Sequence, residues 1–423
     1  MHELTQLIYN DMKPALGVTE PGSIALIMAT AREKIKGEII QADLYLNSGM
    51  YKNAFSCGIP NSAHTGNLYA AALGIVAGNS SKGLEALSAI TAEDEKRAED
   101  LVSKGILTIH LDHIGSDIYL RAVVKSETDK CEVIIEGSHT NLCYLSVNQD
   151  VLFDRRNKTH SSDIEEKPAI HSYTLKDIVE YAETVPLDEI NFVASAYEMN
   201  LSLLDEGLHS DRTTFGPKLL NNNGGILITE NERDTAQLLC NGAIEARVIG
   251  LSKPAMSITG SGAHGIICTM PLYGYCKVNN ISDEKLYRAT TISYLITQYI
   301  KEYSGKLSAF CGCGIAAGTG MACALTWLRG GDLNAIEMTI RNMAAGITGM
   351  ICDGGNQGCT MKGIVACDAA FSASDFAMSE ISIFSEHGIC GYSPEDTMHY
   401  MGRIASPGMV KTEEEIVNIM LSK

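Results

Sequence analysis

Four cysteines in the second half of the chain have the spacing to do chemistry. They lie in Cys311-Gly-Cys313 and in Cys352-Asp-Gly-Gly-Asn-Gln-Gly-Cys359, each pair among glycines. Thiolates are soft ligands suited to zinc or to an iron–sulfur cluster. If three of them hold a cluster, one iron stays open to a substrate and the chain is an enzyme rather than a scaffold. The pairs match neither a zinc ribbon, built on Cys-x2-Cys, nor a ferredoxin run. Spacing alone therefore leaves two readings, a metal or cluster site and buried structural cysteines, since free cysteine is a common core residue. Cys131, Cys143, Cys240, Cys268, Cys276, Cys323, Cys367 and Cys390 take the second reading: each stands alone, most among apolar neighbours.

The elements that position the pairs read as helices. Leu333, Ile336, Ile340, Met343, Ile347 and Met350 recur at three- and four-residue spacing, which predicts one helix carrying the chain between the pairs. Cys311-Gly-Cys-Gly is expected to open a helix over Ile315 to Leu328, and Cys352 to close the striped helix. Helix ends with glycine let backbone N–H groups approach cluster sulfurs. From Leu175 onward almost every segment reads helical.

Upstream the pattern changes. Residues 1–40 read as helix with breaks at Lys13-Pro14 and Glu20-Pro21, followed by a strand over Gln41–Leu46 and helices over 68–77 and 84–104. Ile106–Leu111, Ile118–Val124, Cys131–Ile135 and Leu142–Val147 alternate, are β-branched and are separated by short polar turns, which predicts an antiparallel sheet. Asp154 to Pro168 reads as a linker or exposed loop. The fold class is α+β: an α+β domain over 1–170, then a mostly helical domain over 171–423 that carries the cysteine pairs.

The chain has 423 residues, 45% hydrophobic and 20% charged, with a formal net charge of −18. That balance argues against nucleic-acid and anionic-membrane partners, both of which need Lys/Arg patches. Met1-His2-Glu3-Leu4 lacks a basic n-region, and no apolar run is long enough to span a bilayer. A cytoplasmic protein is expected, its 13 cysteines reduced.

The words around the cysteines carry a resemblance. Leu307-Ser-Ala-Phe-Cys-Gly-Cys-Gly-Ile-Ala-Ala-Gly318 and Gly349-Met-Ile-Cys-Asp-Gly-Gly-Asn-Gln-Gly-Cys-Thr-Met-Lys362 resemble the L-cysteine desulfidase family, a relative of the iron–sulfur L-serine dehydratases. Lys13-Pro-Ala-Leu-Gly-Val-Thr-Glu-Pro21, Glu136-Gly-Ser-His-Thr-Asn141 and Thr259-Gly-Ser-Gly-Ala-His-Gly265 are similar to further family words in the same order. The resemblance implies a [4Fe-4S] cluster on Cys311, Cys352 and Cys359, no pyridoxal phosphate and a homodimer. It also implies β-elimination from a small amino acid: cysteine to pyruvate, ammonia and sulfide, with serine dehydration as the alternative. In that chemistry a base removes the α-proton, the open iron draws off the β-substituent, and aminoacrylate hydrolyses to pyruvate. Cys313 is a neighbour that tunes the site, or plain packing.

One departure matters. Val18 stands where the family word has a cysteine, and valine can act as neither base, acid nor ligand. Another group has taken the role, or the chemistry has changed, or the chain is a non-catalytic cluster sensor or inactive paralogue. The catalytic candidates are His64, Cys57 and Glu20. Cys57 lies in a glycine–proline loop. His64, in Ser62-Ala-His-Thr65, resembles a serine-dehydratase word and titrates near neutrality. Asn53, His139, Thr140, Asn141, Ser261, His264 and Lys362 are the polar groups available to fix a substrate's carboxylate and ammonium. Ala263 replaces a family asparagine there. Against these readings, His64 can be an ordinary loop histidine, His139-Thr-Asn turn chemistry, and Lys362 a solvated lysine.

Overall fold

The computed structural model describes residues 1–156, 168–305 and 307–423. The linker read between Asp154 and Pro168 lies, for residues 157–167, outside the described residues.

The fold is α+β. The alternating runs build a six-stranded sheet from β2 (Ile39–Leu46), β3 (Leu107–Leu111), β4 (Tyr119–Ser126), β5 (Lys130–Glu136), β6 (Leu142–Val147) and β7 (Asp150–Asp154), in the order β3-β2-β4-β5-β6-β7. Pairing is antiparallel from β2 through β4 to β7. β3 departs from the expected pattern and runs parallel to β2. The helices Gly66–Ala77 and Ala92–Ser103 carry the chain from one to the other, and such a crossover returns a strand in the same direction. β7 was not foreseen; it closes a hairpin on β6 through Asn148, whose φ is +56°. The helix Thr19–Glu33 lies against β4 and β5 and packs on Gly66–Ala77.

The break at Lys13-Pro14 is a strand, β1 (Lys13–Leu16), paired antiparallel with β8 (Pro254–Ser257). Its partner lies far along the chain, so no local pattern reveals it. This ribbon ties the start of Thr19–Glu33 to the start of the helix Gly262–Val278, which packs with Glu232–Val248, Asp283–Ser304 and Gly318–Leu328.

The striped helix is Leu333–Ile347, with Ile336, Ile340, Met343 and Ile347 buried. It ends before Met350, which leaves the stripe and packs its sulfur on Gly314. The helix expected from Ile315 is divided into a wide turn over Cys313–Ala317 and a helix over Gly318–Leu328. Both Ala316 and Ala317 donate to the Gly312 carbonyl, each at 3.0 Å, which widens the turn. Such π-type turns recur at functional sites. The eight solitary cysteines are all buried. No helix among the described residues is long and apolar enough to cross a membrane.

Candidate active site

The two cysteine pairs meet across a short antiparallel bridge between Phe310 and Ile351. The Cys311 N–H donates to the Met350 carbonyl at 3.0 Å, and the Cys352 N–H to the Ala309 carbonyl at 2.6 Å. Cys352 therefore sits in a loop beyond the striped helix, not at its end. Cys359 lies in the first turn of the helix Gly358–Met378. The Gly314 N–H points at the Cys311 sulfur, 3.5 Å away. The Cys313 thiol lies against that of Cys311 and, with burial, drives the Cys311 pKa up. Burial also raises Cys359, to about 11, with Cys352 and Cys311 adding to the rise.

Two lysines attend these thiols. Lys362 pairs with Asp353; burial opposes its charge, but that pair and the cysteines Cys359, Cys311 and Cys352 hold it firmly protonated. Lys301 is buried, and burial lowers its pKa while Cys313, Cys352 and Cys311 pull it back up. Its ammonium donates to the Gly305 carbonyl at 2.8 Å.

A polar cluster abuts the cysteine loop. The Gly355 N–H donates to the Asn53 carbonyl at 3.2 Å. The Asn53 side-chain amide donates to Glu20 Oε1 at 2.9 Å. His139 Nε2 stands 3.7 Å from the same oxygen, within ion-pair reach but beyond a hydrogen bond. Asn53 Oδ1 and His139 Nε2 are both buried without a hydrogen-bond partner among the described residues. Ser23 holds the His139 turn by donating to its carbonyl at 2.7 Å. Burial pulls the Glu20 carboxyl up, but His139 and the Asn53 amide more than offset it and hold the group at about 2. Glu20 is thus a fixed negative charge.

The other expected site residues divide. Cys57 is fully buried, and its thiol is pushed up mainly by burial, then by the charge of Glu20. Arg247 lowers it and Cys359 raises it further, so Cys57 lies within electrostatic reach of both Glu20 and the cysteines. His64 faces another way: its Nε2 pairs with Glu99 at 3.0 Å and its ring stacks on Tyr69 at 4.0 Å. Thr140 and Asn141 are exposed, and the Asn141 amide donates to the Glu136 carbonyl, as a turn residue does. Ser261 is the N-cap of Gly262–Val278 and makes no side-chain cap. His264 is buried with its Nδ1 bonded to the Thr259 hydroxyl, and a methyl group on Gly312 would stand 2.7 Å from its Nε2. Burial, then the charges of Lys301 and Arg247, hold His264 neutral with a pKa of about 3. Lys301 and Arg247 were missed in the sequence. A lone basic residue on a helix carries no local signal; burial without an acidic partner is the signal, and only packing reveals it.

Among the described residues no three His, Cys, Asp or Glu side chains converge as ligands of a single metal ion. A cluster needs a different arrangement, because each cysteine binds a different iron and the ligands stand apart around it. Three thiols within electrostatic reach of one another and of Lys362, two of them also of Lys301, suit a group that carries negative charge. The residues present fit a cluster on that ground. Two clefts of about 420 and 590 Å3 lie elsewhere, one beside Ala344 and His387, the other beside His2 and Tyr181.

Known proteins resemble this chain over nearly its whole length. A family model described as serine dehydratase alpha chain matches residues 81–418. A UPF0597 protein of Clostridium botulinum (strain Okra / Type B1) is 40% identical over 99% of this chain and 98% of its own length. A UPF0597 protein of Caldanaerobacter subterraneus subsp. tengcongensis is 35% identical over 99% of this chain and 98% of its own. Another, from Clostridioides difficile (strain 630), is 35% identical over 98% of each.

Proposed function

The chain belongs to the serine dehydratase alpha chain family, and on that premise we propose that it is a lyase that eliminates the β-substituent of a small amino acid. Cysteine is the first substrate, yielding pyruvate, ammonia and sulfide; serine is the second. The observation that carries this is the Gly355–Asn53 hydrogen bond. It joins the cysteine loop directly to the buried acid Glu20 through Asn53, with the His139 imidazole beside the same carboxylate.

A [4Fe-4S] cluster held by Cys311, Cys352 and Cys359 would supply a Lewis acid at the iron no cysteine binds. The chain's own groups do the rest. His139 takes the α-proton. Glu20 beside it, ionised at any physiological pH, favours the imidazolium that forms and fixes the ring. A carboxylate held at about 2 is itself too weak a base for that step. The unpaired Asn53 oxygen accepts from the substrate ammonium. His64, engaged by Glu99 and Tyr69, takes no part in this scheme. Elimination leaves aminoacrylate, and water converts it to pyruvate and ammonia. The enzyme works as a cytoplasmic homodimer.

Purified without oxygen, the protein should be brown and release pyruvate from cysteine or serine. A folded, colourless, iron-free protein that yields none sinks the proposal. A cluster whose spectrum ignores both amino acids supports the second reading, a sensor on the enzyme's fold. Val18, which presents only methyl groups to the cysteine loop, is the observation that keeps a non-catalytic reading open.

A further inference from the structure

Arg247 lies in the last turn of the helix Glu232–Val248 and is only 6% exposed. Its Nε is fully buried and has no hydrogen-bond partner among the described residues. No carboxylate pairs with its side chain among the described residues. The nearest acid in sequence, Glu245, is engaged by the N–H groups of Thr214, Phe215 and Gly216 at 2.8, 3.1 and 2.8 Å. A buried charge without a partner is costly, and proteins retain one where a ligand completes it.

The direction of the side chain says where that ligand sits. A methyl group on Gly262 would stand 2.6 Å from Arg247 Nε. Gly262 is the first residue of a 17-residue helix whose N-cap, Ser261, leaves the first-turn N–H groups without a side-chain cap. Such a helix start attracts an anion. The same turn carries His264, whose Nε2 faces Gly312 between Cys311 and Cys313. Arg247 also acts on Cys57, which feels Glu20 and Cys359 as well. The guanidinium and the open helix start therefore stand beside the Cys311–Cys313 turn, and the Gly58 N–H, next to Cys57, donates to the Val248 carbonyl at 2.9 Å.

We propose that Arg247, with the N–H groups opening Gly262–Val278, binds the α-carboxylate of the amino-acid substrate. The proposal rests on the lyase reading above and deepens it. It gives the substrate two separate anchors: the carboxylate on Arg247 and the ammonium on Asn53 and Glu20. It also explains how Ala263 is tolerated where the related word has asparagine, since a charge-assisted guanidinium contact is stronger than a neutral amide contact. Amines lacking the carboxylate are excluded as substrates.

The test uses the anaerobic holoprotein and L-alanine, which has no β leaving group and so binds without turning over. Calorimetric titration should show wild type binding L-alanine but not ethylamine. Arg247→Gln should weaken L-alanine by about 30-fold or more, and Arg247→Lys should recover part of it. Iron content and melting temperature are measured on all three proteins, so that lost binding is separated from lost cluster or lost fold. With cysteine or serine, Arg247→Gln should raise KM far more than it lowers kcat. Turnover in both proteins with equal KM overturns the assignment and leaves the lyase reading standing. L-alanine binding that depends on Arg247 in a protein that turns over neither amino acid supports the carboxylate site and overturns the lyase reading. A wild type that neither binds L-alanine nor turns over cysteine or serine overturns both.

Discussion

Val18 lies against the backbone of Gly355: a methyl group there would stand 2.9 Å from both of its Cγ atoms. Position 18 thus faces the cysteine loop directly, between Cys352 and Cys359. A thiol at this place would reach the site without any rearrangement. Val18→Cys should cost about 1 kcal/mol of packing, because it removes roughly one buried methyl group. It should raise kcat for cysteine about tenfold, which corresponds to about 1.4 kcal/mol in the barrier. Steady-state pyruvate release from wild type and variant, at equal iron content, decides this. Equal kcat values would show that position 18 takes no part in turnover.

The cage and its neighbour should separate on iron analysis. Cys311→Ser, Cys352→Ser and Cys359→Ser each remove a proposed ligand and should leave anaerobically reconstituted protein with little iron, sulfide or visible absorbance. Cys313→Ser should retain its colour. Cys313 touches Cys311 rather than standing across the site, so its loss should shift the spectrum or potential, not the content. Four identical results would break the division.

The sheet was legible in the sequence because alternation of β-branched residues is a local signal. So was the stripe Ile336, Ile340, Met343 and Ile347, which the 3.6-residue repeat exposes. The parallel β3 was not, since strand direction depends on the crossover before it. β1 was hidden for a related reason: its hydrogen bonds go to residues 254–257, and Lys13-Pro14 alone looks like a helix break. Among the candidate site residues, motif words supplied the cysteines, Glu20, Asn53, His139 and His264. They could not rank His139 over His64, because one faces Glu20 and the other Glu99, and only packing separates the two. Arg247 lay outside every motif.

His139 and Glu20 should fail in different ways. His139→Gln removes the proposed base and should lower kcat by 100-fold or more. Glu20→Gln keeps the shape and the Asn53 contact but removes the fixed charge, so it should lower kcat and move the acid limb of the pH–rate profile to lower pH. His64→Ala should lose less than tenfold. A collapse at His64 with His139→Gln nearly active would move the base to the other loop.

Acid should report on Glu20 through stability. Its carboxyl titrates at about 2 in the fold against an ordinary value of 4.5. A depressed folded value stabilises the protein above the unfolded value and loses that contribution as pH falls toward the folded one. The full contribution, about 3 kcal/mol, is present above roughly pH 5. Denaturant unfolding of iron-free wild type and Glu20→Gln should show their difference shrinking by about 2 kcal/mol between pH 5 and pH 3. A difference that stays constant over that window contradicts an ionised, buried Glu20.

Lys52 and Glu413 form a buried pair at 2.7 Å, and the Lys52 ammonium also donates to the Ser308 carbonyl at 2.9 Å. The pair fastens the C-terminal helix Val410–Leu421 to the helix Ser48–Ala54, in which Asn53 follows Lys52, and to the segment that leads into Cys311. Glu413→Ala leaves a buried ammonium without its carboxylate and should cost about 3–5 kcal/mol in denaturant unfolding. Replacing both partners by apolar residues, Lys52→Met with Glu413→Leu, should restore most of that loss, since no buried charge is left unpaired. Yet the double variant still lacks the donor to Ser308. If the pair positions the site as well as stabilising the fold, its iron content and its kcat should stay below wild type after stability has returned. Recovery of all three together would mean that the pair serves stability alone.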